Sequence, residues 1–191
     1  MLLRALAKEK GFWLNDRGVT SLKTGNTAIF ADEMALYSYL DLQFIPPELR
    51  EGTHEIDLAS SHTLPDLVDL GQIRGDLHCH TNESDGRESV ATMVEAARQL
   101  GYEYVAITDH SAGRGIANGL NQERLRRHVD NIRSLDRALN DINVLAGSEV
   151  DIRADGSLDY PDELLAQLDV VIASVHSAMG QDIGKMTDRI I

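Results

Sequence analysis

The segment IRGDLHCHTNESDG, residues 73–86, is the basis of the fold prediction. Its first half, IRGDLHCH, is a strand candidate that ends in two histidines, His78 and His80. Side chains alternate along a strand, so both imidazoles should lie on one face. A turn follows at residues 84–86, and a helical pattern begins soon after it. The segment therefore predicts one strand–loop–helix unit with imidazoles at the carboxyl end of its strand.

Three more units of the same kind follow. Their β-rich runs are YEYVAIT, INVLAGSEV and VVIASV, which lead to His110, Glu149 and His176. Starting from His80, the steps are 30, 39 and 27 residues, each close to one βαβ unit. The pattern predicts an α/β fold with parallel strands in a sheet or barrel, with helices capped at Ser89 and Asn121.

Residues 1–70 have a different pattern. LRALAKEKG predicts a short helix that ends at Gly11, and the next stretch has strand-like pieces with turns. Asp32 is an expected helix cap, and the prolines at 46–47 exclude an α-helix just beyond that helix. We expect a small α+β segment over 1–70, with little apolar mass of its own, and a second domain over 71–191.

The composition narrows the class of protein. The 191 residues are 42% apolar and 26% charged, as in soluble globular proteins, and no apolar run approaches the roughly 20 residues of a membrane span. The N-terminus lacks the apolar region of a secretory signal, and the lone Cys79 excludes an intramolecular disulfide. These features favour a cytoplasmic protein. The net charge of -13 counts against nucleic acid as a default partner and is compatible with salt-adapted solubility.

The strand ends carry the chemistry, because α/β folds place their sites at the carboxyl ends of strands. Imidazoles and carboxylates without a thiolate suit Zn, Mn or Fe, and two close metals can activate a water for phosphoester hydrolysis. A lone histidine at a strand end is usually just a satisfied polar residue, but four histidines and a glutamate at corresponding strand ends indicate metal ligands. With Asp85 from the first loop, the candidates are His78, His80, Asp85, His110, Glu149 and His176.

The remaining polar residues receive plainer interpretations. Strand parity points Cys79 away from the histidines, as a small core residue. Arg114 follows His110 in a glycine-containing loop and is a candidate phosphate contact, as is Lys185; the alternative for both is a surface charge. The other histidines are expected at the surface: His54, His62 and His128. The arginines of the long helix are expected on its solvated face: Arg124, Arg126, Arg127, Arg133 and Arg137.

Four motifs resemble the PHP (polymerase and histidinol phosphatase) domain: GDLHCHTNESDG, VAITDHSAGRGIANGL, GSEVDI and SVHS. The preceding IPPELREGTHEI, which leads into LPDLVDLGQIRGDLHCHT, resembles the junction between the thumb and the PHP domain in bacterial and archaeal family X DNA polymerases. The resemblance covers nearly the whole chain, and the IPPELRE stretch makes the polymerase family specific.

The resemblance implies a distorted (β/α)7 barrel with up to three metal ions, Mn or Zn. One ion would bind His78, His80 and Glu149; Glu149 would bridge to a second at His176; Asp85 and His110 would hold the third. The activated water would thus be held by His78, His80, Glu149 and His176. The implied activities are 3′-to-5′ exonuclease, 3′-end phosphatase or phosphodiesterase and cleavage at abasic sites, on DNA 3′ ends or gapped DNA during repair.

The chain also departs from the family pattern. It ends before a His-Pro-containing strand and a late Asp-x-His pair, so each ion would lack one ligand, and no strand matches the polymerase palm. We therefore expect half of a barrel, a fragment that does not polymerise DNA by itself and whose partners include the rest of a parent polymerase. Two alternatives stay open: a small-molecule phosphatase of the histidinol phosphate type, and an inactive remnant that binds metal weakly.

Overall fold

The computed structural model describes residues 2–113 and 115–191. It divides the chain into two compact units, Met1–Val68 and Asp69–Ile191, each with its own buried apolar cluster. Within the described ranges, no helix has both the length and the apolar character that a bilayer crossing requires.

The first unit is a small α+β structure. Its strands form an antiparallel sheet in the order β1-β2-β3. The elements are α1 (Leu2–Glu9), β1 (Phe12–Asn15), β2 (Gly18–Ser21), β3 (Thr27–Ala28), α2 (Glu33–Tyr39) and α3 (Glu55–Ser61).

Local signals explain where the helices of this unit begin and end. Gly11, with φ +81°, follows α1, and the Asp32 carboxylate accepts a hydrogen bond from the Ala35 amide at the start of α2. α3 has no cap signal in the sequence and was not predicted. The sequence analysis underestimated the apolar core of this unit. The unit buries a core of its own: Ala7, Val19, Tyr37, Leu40, Leu42, Ile45, Ala59 and Leu64.

The second unit alternates strands and helices. Its four strands are parallel throughout and stand in the order β4-β5-β6-β7, which confirms the predicted α/β class with a partial barrel sheet. The elements are β4 (Gly75–Cys79), α4 (Val90–Gln99), β5 (Tyr104–Ile107), α5 (Gln122–Asp136), β6 (Asn143–Asp151), α6 (Asp162–Leu165), β7 (Val170–Ser174) and α7 (Ile183–Ile190).

Capping side chains fix the starts of the longer helices in this unit. Ser89 accepts a hydrogen bond from the Thr92 amide, and Asn121 accepts one from the Arg124 amide, so both predicted caps are confirmed. Apolar side chains of α4 and α5 then pack on the buried faces of β5 and β6. This packing fixes the loops that follow β4 and β5, which carry three of the six candidate donors.

The outer strands differ from the inner ones. Within the part of the chain that the structure describes, β4 and β7 each pair with one strand only, and their side chains Leu77 and Val171 are substantially exposed. β5 and β6 are mostly buried, as expected for strands paired on both sides. The four carboxyl ends therefore lie along one edge of the sheet.

Candidate metal centre

All six predicted donor residues lie together at the carboxyl end of the parallel sheet. His78 is in β4 and His80 directly follows it, whereas Asp85 is in the next loop. His110 lies three residues beyond β5, where it forms an isolated parallel bridge with Glu149. Glu149 itself lies within β6, and the sixth residue, His176, comes two residues after β7.

Glu149 is at the centre of the cluster. Its Oε2 atom lies 3.3 Å from His78 Nε2, 3.2 Å from His80 Nε2 and 3.1 Å from His110 Nδ1. Its other oxygen, Oε1, lies 3.1 Å from Nε2 of His176. One buried carboxylate from β6 thus contacts four imidazoles that come from the ends of the other three strands.

Asp85 makes a second bridge on the other side of His80. Its Oδ1 atom lies 2.8 Å from His80 Nδ1, and its Oδ2 atom lies 3.4 Å from His110 Nε2. The two ring nitrogens of His80 therefore face different carboxylates, and the same is true of His110. Both imidazoles link the Asp85 side of the cluster to the Glu149 side.

The cluster resolves into three donor groups, and within each group the donor atoms lie within 4.8 Å of one another. They overlap, since His80, His110 and Glu149 each belong to two of them. The groups are His78/His80/Glu149, His80/Asp85/His110 and His110/Glu149/His176. Each group can hold one ion, and shared donors would bring the ions close together.

The donors fit a transition-metal ion. His110 Nδ1 is buried and, although it lies 3.1 Å from Glu149 Oε2, it makes no hydrogen bond within the described residues, which is costly for a polar atom unless something else binds it. His78 Nε2 and His80 Nε2 lie 3.1 Å apart, a separation typical of two ligands on one ion at about 2.0–2.2 Å. This mixture of imidazole nitrogens and carboxylate oxygens suits Zn or Mn. It suits Mg or Ca less well, because those ions prefer ligand sets made of oxygen alone.

Electrostatics favour the metal-binding protonation states. Burial lowers the pKa of His110, which keeps its imidazole neutral and available as a ligand. Burial raises the pKa of Glu149, but a hydrogen bond from Ser174 and the nearby His110 and His176 outweigh it, so the pKa is lowered. Glu149 is therefore held as a carboxylate, the form that binds a cation.

Asp151 is a residue of this site that the sequence reasoning missed. It is buried, and its carboxylate accepts a hydrogen bond from His176 Nδ1. This contact leaves Nε2, the atom that faces Glu149, free to bind a metal. The signal was in the sequence, because Asp151 is two positions after Glu149 and strand parity puts both on one face.

His128 is buried, so the prediction that it lies at the surface was wrong. Its helix α5 is amphipathic, and the position falls between Leu125 and Ile132 on the buried face. There it contacts Asp109, whose Oδ2 atom lies 2.9 Å from His128 Nε2. His54 and His62 are exposed, as predicted.

The predicted phosphate contacts have different outcomes. Arg114 lies outside the described residues. Lys185 is exposed in the first turn of α7, with its ammonium 4.0 Å from Asp182, and in the described part of the chain it contacts no donor of the cluster. Arg124 is half-buried rather than solvated, because its guanidinium donates to the carbonyls of Asn118 and Glu83. The other arginines of α5 are exposed.

Cys79 has the orientation that strand parity predicts. Its thiol donates to the Ala106 carbonyl at 3.2 Å and packs against the core, away from the imidazoles on either side of it. Burial raises the pKa of Cys79 to about 12, so the thiolate form that binds metals is suppressed at neutral pH.

Comparison with known proteins identifies the second unit. The sequence profile of the PHP domain matches residues 76–190, which include every donor of the cluster. The chain belongs to the PHP domain family. The profile of the DNA polymerase beta thumb matches residues 1–51, in the first unit.

Several curated proteins are similar to this PHP-domain chain. DNA polymerase/3′-5′ exonuclease PolX of Bacillus subtilis is 43% identical over 94% of this chain and 31% of its own length. A probable phosphatase of Shewanella sediminis is 32% identical over 59% of this chain and 44% of its own length, and one of Acetivibrio thermocellus is 37% identical over 53% and 40%. The chain thus spans less than half of each relative. The predicted resemblance to family X DNA polymerases is confirmed.

Proposed function

We propose that this chain hydrolyses phosphoester bonds at DNA 3′ ends, as a 3′-to-5′ exonuclease or 3′-end phosphatase, and acts as the PHP part of a family X DNA polymerase. Residues 71–191 would be the catalytic PHP domain, and residues 1–70 a thumb-like segment that contacts DNA. The similarity to PolX over both parts supports this proposal.

The observation that carries the proposal is the convergence of four imidazoles and a buried carboxylate at the carboxyl edge of the sheet. Glu149 is shared between two donor groups, and Asp85 joins the third to them through His80 and His110. A multi-metal centre of this kind is what in-line displacement at phosphorus uses, because the attacking and leaving oxygens are stabilised together.

The chain's own residues have distinct proposed roles. When bound, the divalent ions would supply an activated water and neutralise the charge that develops on the phosphoryl group. His78, His80 and His176 are proposed to hold the ions through Nε2, and Glu149 to set their spacing as a bridge. Asp151 would fix the tautomer of His176 through Nδ1.

The finer assignments are part of the same proposal. We favour Mn or Zn as the native metal, a 3′ end or gap in duplex DNA as the substrate, and DNA repair in the cytoplasm as the setting. The chain has a net charge of -13, and bound cations would offset the negative charge near the site where the DNA backbone approaches. The acidic composition therefore does not oppose a nucleic acid substrate. Arg114 and Lys185 are retained as proposed phosphate contacts.

The test is nucleotide release from a 3′-recessed duplex by the purified chain, with Mn²⁺ or Zn²⁺ added after chelation. We expect activity that depends on added metal and falls at least 100-fold when His78 and His80 are both replaced by Ala. A matched control replaces the exposed His54 and His62 by Ala and should keep activity. Release that survives H78A/H80A would refute the site.

The probable phosphatases support a second candidate function, because the match to each of them covers 59% or less of this chain. In that case the substrate would be a small phosphate monoester. Comparing kcat/KM for histidinol phosphate with that for a DNA 3′-phosphate separates the two functions. A preference for the small substrate would favour the second candidate, and the match of residues 1–51 to a polymerase thumb makes us expect the opposite.

A further inference from the structure

Asp109 is a fully buried carboxylate that is not among the donors of the cluster. It precedes His110 and is 0% exposed. Burial of a charge in a protein interior is costly unless hydrogen bonds compensate it. Here the compensation is complete on both oxygens, and all but one of the donating groups belong to the loop between His80 and Asp85.

The hydrogen bonds of Asp109 fasten that loop at two points. Its Oδ1 atom accepts from the Thr81 amide at 2.8 Å and from the Ser84 hydroxyl. Its Oδ2 atom accepts from the Thr81 hydroxyl at 2.7 Å. Thr81 is the neighbour of His80 and Ser84 is the neighbour of Asp85, so the two ligand-bearing ends of the loop are tied to one carboxylate.

His128 holds the same carboxylate from the opposite side. It is 3% exposed, and since a carboxylate only accepts, its Nε2–H donates to Asp109 Oδ2 at 2.9 Å. The residue comes from the middle of α5, which packs on the sheet through Leu125 and Ile132. The contact therefore connects the loop to a helix that is fixed by the core.

The backbone of Asp109 also reaches the other bridge of the cluster. Its carbonyl accepts from the Ser148 hydroxyl at 2.8 Å and from the Glu149 amide at 3.2 Å. One residue thus lies between the loop of Asp85, the following His110 and the strand of Glu149. Within the described residues, however, its side chain hydrogen-bonds only to the loop and to His128, so a side-chain substitution should act on the loop.

We propose that Asp109 and His128 are a positioning pair that holds His80, Asp85 and His110 in the geometry for one of the three ions. This inference rests on the proposed function for the presence of the metals, and it adds residues that bind no metal themselves. Outer contacts of this kind typically change metal affinity 10–100-fold. The effect should be largest at the group of His80, Asp85 and His110, because Asp85 lies in the fastened loop and belongs to no other group.

The test compares three variants of the full chain. His128→Leu removes the donor to Asp109, and His128→Gln keeps an N–H that can reach the position of Nε2. Val129→Ala truncates the neighbouring buried residue on α5 and is the control for a loss of stability alone. Metal content after dialysis and Mn²⁺ titration by calorimetry are measured beside the unfolding temperature.

We expect His128→Leu to bind the ion of the group that contains Asp85 10–100-fold more weakly and the other ions with a smaller loss, and His128→Gln to restore most of the loss. Val129→Ala should lower the unfolding temperature without this selective effect. Unchanged binding in His128→Leu, or an equal weakening of all ions in His128→Leu and Val129→Ala, would overturn the proposal.

Hydrogen exchange of the metal-free chain gives a readout that needs neither metal nor activity. The Thr81 amide should exchange faster in His128→Leu than in the parent, and as slowly as the parent in Val129→Ala. If its protection is the same in all variants, the pair does not hold the loop. A chain that shows these effects but does not cleave DNA would contradict the proposed function and leave the positioning pair intact.

Discussion

At the scale of single residues, a donor of the cluster can depend on a hydrogen bond that sets the orientation of its ring. A histidine binds a metal through one nitrogen, and the hydrogen bond at the other nitrogen decides which tautomer is present. His176 shows this most directly, because Asp151 accepts from Nδ1 while Nε2 faces Glu149. The affinity of a site can therefore be lowered without replacing any ligand.

Replacing Asp151 by Asn tests this point. The amide is a weaker acceptor than the carboxylate, so we expect about 10–100-fold weaker binding of the ion at His110, Glu149 and His176. Equilibrium titration with Mn²⁺ or Zn²⁺ measures the change. The control is Asp155→Asn, which alters an exposed carboxylate bonded to Ser157 and should leave affinity unchanged.

An affinity equal to that of the parent chain in Asp151→Asn would show that His176 is oriented by other contacts. A parallel loss in Asp155→Asn would assign the effect to general charge instead.

The site residues that could be predicted from the sequence follow a repeated pattern, whereas those that were missed do not. The donors His78, His80, His110 and His176 repeat at strand ends, and this repetition made them predictable. Asp151 and His128 do not repeat, and their roles depend on which neighbouring strand or helix packs against them. Only the tertiary structure gives that information, although parity for Asp151 and the apolar stripe of α5 for His128 were usable hints.

At the scale of elements, helix α7 holds two neighbouring chain segments together through the hydrogen bonds of one buried side chain. Arg189 is 5% exposed and donates to the carbonyls of Ile152 and Arg153, which follow Asp151 in the chain. It also donates to the carbonyl of Ser177, directly after His176. One guanidinium thus joins the two segments that carry the Asp151–His176 contact.

Replacing Arg189 by Leu should destabilise the second unit by about 3–5 kcal/mol, since several buried carbonyls lose a charged donor. The measurement is chemical unfolding followed by circular dichroism. Lys185→Ala on the exposed face of the same helix is the control and should change stability by less than about 0.5 kcal/mol. A stability loss below about 1 kcal/mol in Arg189→Leu would show that α7 does not hold the two segments together.

The elements themselves were largely predictable because local signals and tertiary packing agree. Ser89 and Asn121 cap the helices that their apolar periodicity predicts, and the β-branched run at 170–174 forms β7. α3 was not predicted, because it lacks a capping side chain and its last residue is followed by His62 in a left-handed conformation. Its formation depends on Ala59 packing into the first core.

At the scale of the whole molecule, metal binding and stability should be linked in the second unit. The donors come from all four strand ends, so an ion that binds them stabilises the packed sheet relative to the unfolded chain. At a metal concentration 100 times Kd, each ion should add about 2.7 kcal/mol. We expect the unfolding temperature of this unit to rise with Mn²⁺ or Zn²⁺ and to return after chelation.

The single tryptophan gives an internal control for this measurement. Trp13 lies in the first unit, whereas the donors all lie in the second. Tryptophan fluorescence should report an unchanged transition while hydrogen exchange of β6 slows with added metal. If β6 exchange does not respond, the donors do not bind the ion in the folded chain.

The strand order has a consequence for how the centre is built during synthesis. The strands stand in the sheet in the same order as in the chain, so the ribosome releases the donors from one side of the cluster to the other. The three groups become complete in succession, when residues 110, 149 and 176 have emerged. At about 5–20 residues per second, several seconds separate the first from the last. The group that needs no residue of β6 or β7 is thus complete first, and the ions can be acquired one after another rather than together.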